Sequence, residues 1–391
     1  MDELLGLVRE NLSNPAFCGE AGRALAAASG EPQHIATLVD TPDGIELLGK
    51  LSNVPTSRRD ALVTLVNVTA WASAQGERRL AAVVGRLDLS LTSAATADEE
   101  AREAALKLLQ NATTTLSGCA ACEGVVVPLL RAFAQRPPDH HDTWALFGET
   151  LRNLTAHSET TRRLLLRRSS RVLEALLPQL LVPRRERRRG VAAALKHCAI
   201  DRDAHYFLDT ELGAPAYVAR ALADDADLAK LSPEDRAPLA AAFEGLDGGR
   251  DDQDPDLALL LLESLHCFCA TRRCRRRLRA LNAYFVVRDA DIAFASSSKD
   301  KPQDARGVLV TADNTNADDD DDDGVLSRIS RVCSEIADML LRRDDDGGDI
   351  ASLADAVVEP PARKKSTAFL KKSGFLNNNS DATPASYDEP D

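Results

Sequence analysis

Aromatic side chains are scarce in this chain, at 4% of 391 residues with only two Trp, although 44% of residues are apolar. β-Sandwiches and barrels draw on aromatic and β-branched residues. A core of mostly Leu, Val and Ala points instead to stacked helices. Long hydrophobic runs are also missing: the longest, Leu257 to Leu262, is far below the roughly 20 residues that span a bilayer, so no membrane segment is expected. The N-terminus, Met1-Asp-Glu-Leu-Leu-Gly-Leu-Val-Arg-Glu10, lacks the apolar stretch of a secretory leader, which points to the cytoplasm. Eight cysteines in that compartment are expected as reduced thiols. No Ser-His-Asp pattern, phosphate-binding loop or dinucleotide glycine fingerprint occurs. Neither enzymatic activity nor a cofactor is expected.

What the chain does have is a repeat. Leu65-Val-Asn67-Val-Thr69, Leu109-Gln-Asn111-Ala-Thr113, Leu151-Arg-Asn153-Leu-Thr155, Leu195-Lys-His197-Cys-Ala199 and Leu265-His-Cys267-Phe-Cys269 follow one pattern, with steps of 44, 42, 44 and 70 residues between their third positions. Leu25-Ala-Ala27-Ala-Ser29 is an earlier, degenerate copy. A period of about 40–47 residues is that of armadillo and HEAT units. The fold class is therefore all-α, an armadillo/HEAT-like superhelical solenoid with acidic disordered insertions and tail. The first three copies are formal glycosylation sequons, but they need a secretory route that this N-terminus does not offer.

Helix starts are visible upstream of the copies. Ser57-Arg-Arg-Asp60 and Thr96-Ala-Asp-Glu99 resemble capping boxes, Asp142 is a candidate N-cap, and Asp254 precedes Pro255. Return helices are expected over 76–84, 123–134, 158–181 and 271–287. The net charge of −13 is concentrated outside the repeats. Residues 224–256 hold 11 acidic and three basic residues, account for the 70-residue step, and read as an inserted loop. The organisation expected is a repeat scaffold over 1–295, a disordered acidic insertion over 296–324 containing Asp318 to Asp323, a closing helix over 325–343 and a disordered tail over 344–391. The tail nearly duplicates itself as Lys364-Lys-Ser-Thr-Ala-Phe-Leu370 and Lys371-Lys-Ser-Gly-Phe-Leu376. That repeat suits a docking motif or nuclear import, against an inert solvated tail.

The repeated Asn admits two roles. It can hydrogen-bond a neighbouring turn, or face a groove and bind a partner's backbone through its amide. If the groove is used, the positions one turn earlier, Val63, Lys107, Glu149, Ala193 and Glu263, also line it. Cys119-Ala-Ala-Cys122 has no second pair at zinc-finger spacing, so no metal is expected. Three arginine clusters stand out: Arg162 to Arg171, Arg184 to Arg189 and Arg272 to Arg279. They suit RNA phosphates or acidic protein segments, or pair with the chain's own acids. Without an aromatic-rich strand motif, nucleic-acid recognition is not expected.

Arg187-Arg-Arg-Gly190-Val-Ala-Ala-Ala-Leu195-Lys-His-Cys198 resembles the glycine-containing repeat helix of the eukaryotic Hgh family. Asp254-Pro-Asp256, Leu262-Glu-Ser-Leu265, Ala270-Thr-Arg-Arg273 and Ala283-Tyr-Phe-Val-Val-Arg288 resemble its C-terminal signature in the same order. The resemblance implies a cytosolic co-chaperone that holds translation elongation factor 2 and brings it to the cytosolic chaperonin, acting as a monomer. The alternatives are a generic armadillo adaptor shuttling to the nucleus and an RNA-associated protein. For a partner-contact surface the candidates are Arg187, Arg188 and Arg189, with Asn111, Glu149, Asn153 and Lys196 behind them.

Overall fold

The computed structural model describes residues 1–90, 92, 98–135, 142–299 and 320–342, with backbone alone at 297–299 and 320–323. Among these residues all regular structure is helical. Seven helices form the spine: α1 (Pro15–Ala28), α2 (Arg58–Gln75), α3 (Glu99–Ala112), α4 (Phe147–His157), α5 (Arg185–Ala199), α6 (Pro255–Phe268) and α7 (Asp320–Leu341). Each packs on the next, α1 on α2 through to α6 on α7. The result is an all-α repeat solenoid.

The first residue of each copy explains the stacking. Leu25, Leu65, Leu109, Leu151, Leu195 and Leu265 are all completely buried. Truncating any one to Ala would cost about 2–5 kcal/mol, because a stacked neighbour cannot collapse into the gap. Helix starts follow the capping logic with shifts. Asp98 caps α3 by accepting from Glu100 N, while Thr96 lies outside the described residues. Asp254 caps α6 by accepting from Leu257 N at 2.9 Å. Ser57 precedes α2 but its hydroxyl donates to Leu51 O instead. Asp142 leads a 3-10 turn, Thr143–Leu146, without capping it, because Arg187 takes its carboxylate.

Return helices lie between the spine helices, and two of those expected are broken. Over 158–181 the chain forms Glu159–Leu166 and Val172–Leu176, separated at Arg171, whose φ of 52° is left-handed. Over 271–287 it forms Arg272–Ala280 and Ala283–Lys299, split at Asn282 with φ 57°. A left-handed residue ends a helix because its amide turns back on the last carbonyls.

One junction is closer than the rest. A Cβ built on Gly190 would sit 2.4 Å from Gly148 Cα, so α4 and α5 touch backbone to backbone. Only glycine fits there. The acidic insertion is not the plain loop that its composition suggested. It carries helices Asp225–Ala229 and Pro233–Ala242, the first capped by Asp224 and the second by Ser232. Helix α7 begins at Asp320, five residues before the expected start. The ends of the 296–324 stretch are thus helical; its middle, and the tail from 343, lie outside the described residues.

Candidate partner-binding groove

Copies of the motif are wired to one another by their third and fifth residues. The fifth-position hydroxyls of Thr69, Thr113 and Thr155 are buried, and each donates to the carbonyl four residues back at 2.9 Å. The third-position side chain of the next copy then donates to that hydroxyl. Asn67 Nδ2 donates to Ser29 Oγ (2.8 Å), Asn111 Nδ2 to Thr69 Oγ1 (3.1 Å) and Asn153 Nδ2 to Thr113 Oγ1 (3.3 Å). His197 Nδ1 meets Thr155 Oγ1 at 2.9 Å. Because Thr155 donates to Leu151 O, the imidazole must carry its proton on Nδ1. His197 thus does the work of the amide it replaces.

The seam changes character after α5. Ala199 has no hydroxyl and Cys267 has no amide, so both partners of the next rung are absent together. His205 bridges that junction instead, with Nε2 on Ala199 O (2.7 Å) and Nδ1 on Thr271 Oγ1 (3.0 Å). Burial holds the His197 ring at a pKa of about 3, reinforced by the positive charges of Lys196, Arg162, Arg152 and His157. It is neutral at physiological pH.

Asn111 and Asn153, taken from sequence as partner contacts, therefore spend their N–H groups inside the stack. Their Oδ1 atoms have no hydrogen-bond partner among the described residues. Beside them runs a half-buried strip of Val66, Gln110, Arg152 and Lys196. One turn earlier come Val63, Lys107 and Glu149, also half-buried, while Ala193 is sealed. Among the described residues Glu149 pairs only with Arg152, at 3.5 Å. Lys196 is bound to Glu263 at 2.7 Å, and Arg328 of α7 reaches the same carboxylate at 2.8 Å. The strip is half-buried on α2 to α4, and toward α7 its charges are paired off.

Arg187, Arg188 and Arg189 are corrected more strongly. Arg187 is fully buried. It pairs with Asp142 (Nη2 to Oδ1, 2.7 Å), donates to Phe133 O (3.0 Å) and Gln179 Oε1 (3.1 Å), and lies over the Phe133 ring. Arg188 is also buried, donating to the carbonyls of Leu180, Ala221 and Gly249. Arg189 forks onto Asp254, the N-cap of α6, at 2.6–2.9 Å. Three consecutive arginines thus fasten α5 to three different elements. Consecutive helical residues point about 100° apart, so one exposed face could not have held all three.

In the other two clusters Arg162, Arg275 and Arg279 are likewise committed within the stack, whereas Arg163, Arg167, Arg168, Arg171, Arg272, Arg273, Arg276 and Arg277 are exposed. Arg162 caps the end of α4 through Thr155 O (2.7 Å), and Arg275 does so for α6 through Cys269 O (2.7 Å). Arg279 holds the C-terminal end of α7 through Leu340 O and Met339 O. Both thiols of the Cys119-Cys122 pair are buried, and burial pushes Cys122 up to about 12, which suppresses the thiolate needed for redox or metal chemistry. Among the described residues no single helix is long and apolar enough to cross a membrane.

No protein-family profile matches the chain. Protein HGH1 homolog of Xenopus laevis is 25% identical over 151 residues, covering 38% of this chain and 41% of that protein's own length. Among solved structures, a computationally designed armadillo repeat protein for modular peptide recognition gives a TM-score of 0.46 at 17% identity, over 62% of this chain and 99% of that one. A structure concerning a phosphorylation switch in the interaction between cadherin and beta-catenin gives 0.44 at 14% identity, over 86% of this chain and 77% of that one. The chain is an all-α helical-repeat protein, similar over part of its length to Protein HGH1 homolog.

Proposed function

We propose that this chain is a non-enzymatic protein-binding scaffold whose groove over α2 to α4 holds an extended or partly folded client segment. The observation that carries this reading is the row of Asn67, Asn111 and Asn153. Their N–H groups are fixed by the stack, so their carbonyl oxygens are held in place beside a half-buried strip. Acceptors fixed in advance bind backbone N–H groups without a further ordering cost. Val63, Val66 and Trp71 give one end of the strip an apolar character, and Lys107, Glu149 and Arg152 give the other a charged one.

The client we propose is translation elongation factor 2, held in the cytoplasm and passed to the cytosolic chaperonin. This rests on the Hgh-like residues at 187–198 and 254–288 and on the partial similarity to Protein HGH1 homolog. Binding of purified elongation factor 2 to the full chain and to an Arg152→Glu variant tests both levels. Among the described residues Arg152 pairs only with neighbouring Glu149, so the variant should fold normally and bind at least tenfold more weakly. Equal affinity in the folded variant would remove the groove, and no binding by the parent chain would remove the client.

A further inference from the structure

Two features have no part in that reading: the hollow within the acidic insertion and the duplicated basic motif of the tail. The hollow, of about 330 Å³, lies between helices Asp225–Ala229 and Pro233–Ala242 and is walled by Leu228, Ala229, Ala240, Phe243 and Leu246. Arg220 at its edge is already committed, donating to Leu246 O (3.1 Å) and pairing with Asp225 (2.9 Å). Arg236 also lines the hollow and is exposed, while Glu234, Glu244 and Asp247, close in sequence to lining residues, are exposed and form no ion pair among the described residues. This is a largely apolar cup whose rim mixes Arg220 and Arg236 with carboxylates of a segment that is acidic overall.

We propose that the tail segment Arg363 to Leu376 docks onto this insertion in cis, seating one of its two Phe-Leu pairs in the cup. Charge complementarity is the first argument. Residues 363–376 carry five basic side chains and no acid, whereas 224–256 carry 11 acidic and three basic. Each Lys-Lys pair precedes its Phe-Leu by only a few residues, so the ammonium groups would reach the rim as the ring enters the cup.

Position is the second argument. The described chain ends at Arg342, whose carbonyl accepts from Arg279 at 2.6 Å. Three residues after Arg279, Asn282 donates to Asp235 O of the insertion at 2.9 Å. The tail therefore leaves the scaffold beside the insertion. A connection of roughly 20 residues would span roughly 25 Å on average if it behaved as a coil, enough to reach the cup at an effective concentration on the order of millimolar. Ser366 and Ser373 stand between the lysines and the Phe-Leu pairs.

The test uses the full chain as an equal mixture of 15N-labelled and unlabelled protein, treated with a zero-length carbodiimide cross-linker. Amide hydrogen exchange over 228–246 is measured alongside for the parent and for Phe369→Ala/Phe375→Ala, a change confined to the tail. We expect links from Lys364, Lys365, Lys371 or Lys372 to Glu234, Glu244 or Asp247 within single-isotope chains. Exchange over 228–246 should quicken at least fivefold in the double variant. Mixed-isotope links would overturn docking in cis in favour of a second copy. Scattered links with identical exchange would overturn the docking site itself.

Discussion

Asn111 Nδ2 donates to Thr69 Oγ1 across 3.1 Å, and Thr69 hands the bond on to Leu65 O at 2.9 Å. The rung joins two helices 42 residues apart in sequence, and its middle atom has no access to solvent. A donor removed from a buried acceptor leaves that acceptor's desolvation uncompensated.

Asn111→Ala should therefore lower the stability of the stack by about 1–2 kcal/mol. Thr69→Ala should cost a similar amount, and the double variant less than the sum by about 1 kcal/mol. Urea unfolding of the four proteins measures the coupling. Strict additivity would mean that the rung contributes nothing.

Arg187 provides a sharper contrast. Glu at this position would bury a second carboxylate against Asp142, so Arg187→Glu should cost at least about 3–5 kcal/mol and yield little folded protein. Arg187→Met, which keeps the stem over Phe133, should be milder. Arg163→Glu, on an exposed pair with Glu159, should change stability by less than about 0.5 kcal/mol. Thermal melts would separate the three.

His197 makes stability depend on pH in a definite direction. Its folded pKa of about 3 lies below the ordinary 6.5, so the native state binds fewer protons than the unfolded state between those values. The contribution is complete above about pH 6.5 and is lost as pH falls toward 3. The groups facing the ring, Arg152, His157, Arg162 and Lys196, are all basic and oppose its charging. His197→Asn should keep the rung and show a smaller drop in urea midpoint between pH 7 and pH 5 than the parent.

Gly190→Ala should fail where Gly6→Ala succeeds. The first places a methyl 2.4 Å from Gly148 Cα, an overlap that only separation of α4 from α5 relieves, costing about 1–3 kcal/mol or more. The second meets nothing within 4 Å inside helix Asp2–Asn11 and should stabilise by about 0.5–1 kcal/mol. Melting temperatures of the two variants should move in opposite directions.

Much of this architecture was legible in the order of residues. The 42–44-residue step fixed the spine helices, and the conserved spacing of Leu, Asn and Thr within each copy marked the rungs. That Asn bonds the hydroxyl of the preceding copy was not legible, because the sequence left its amide open between a neighbouring turn and a groove, and only the stacking brings Asn111 onto Thr69 and Asn153 onto Thr113. The arginines were misread because clustering in sequence does not imply a shared face. Arg187 looks like any surface arginine until Asp142, Phe133 and Gln179 converge on it from three other segments. The helices of the insertion were hidden by its Asp, Pro and Gly content, although Asp224 and Ser232-Pro233 are ordinary helix openings.

The replacement of neutral rungs by ion pairs beyond Ala199 divides the solenoid by its response to electrolyte. From Ser29 to His197 the repeats are laced by uncharged groups, to which dissolved salt is nearly indifferent. From there on, Arg189 with Asp254, Lys196 with Glu263 and Arg328 with Glu263 carry much of the fastening. Rising ionic strength shortens the reach of such pairs. The molecule is a lace with a magnetic clasp at one end, and a brine that loosens the clasp leaves the neutral lacing as it was.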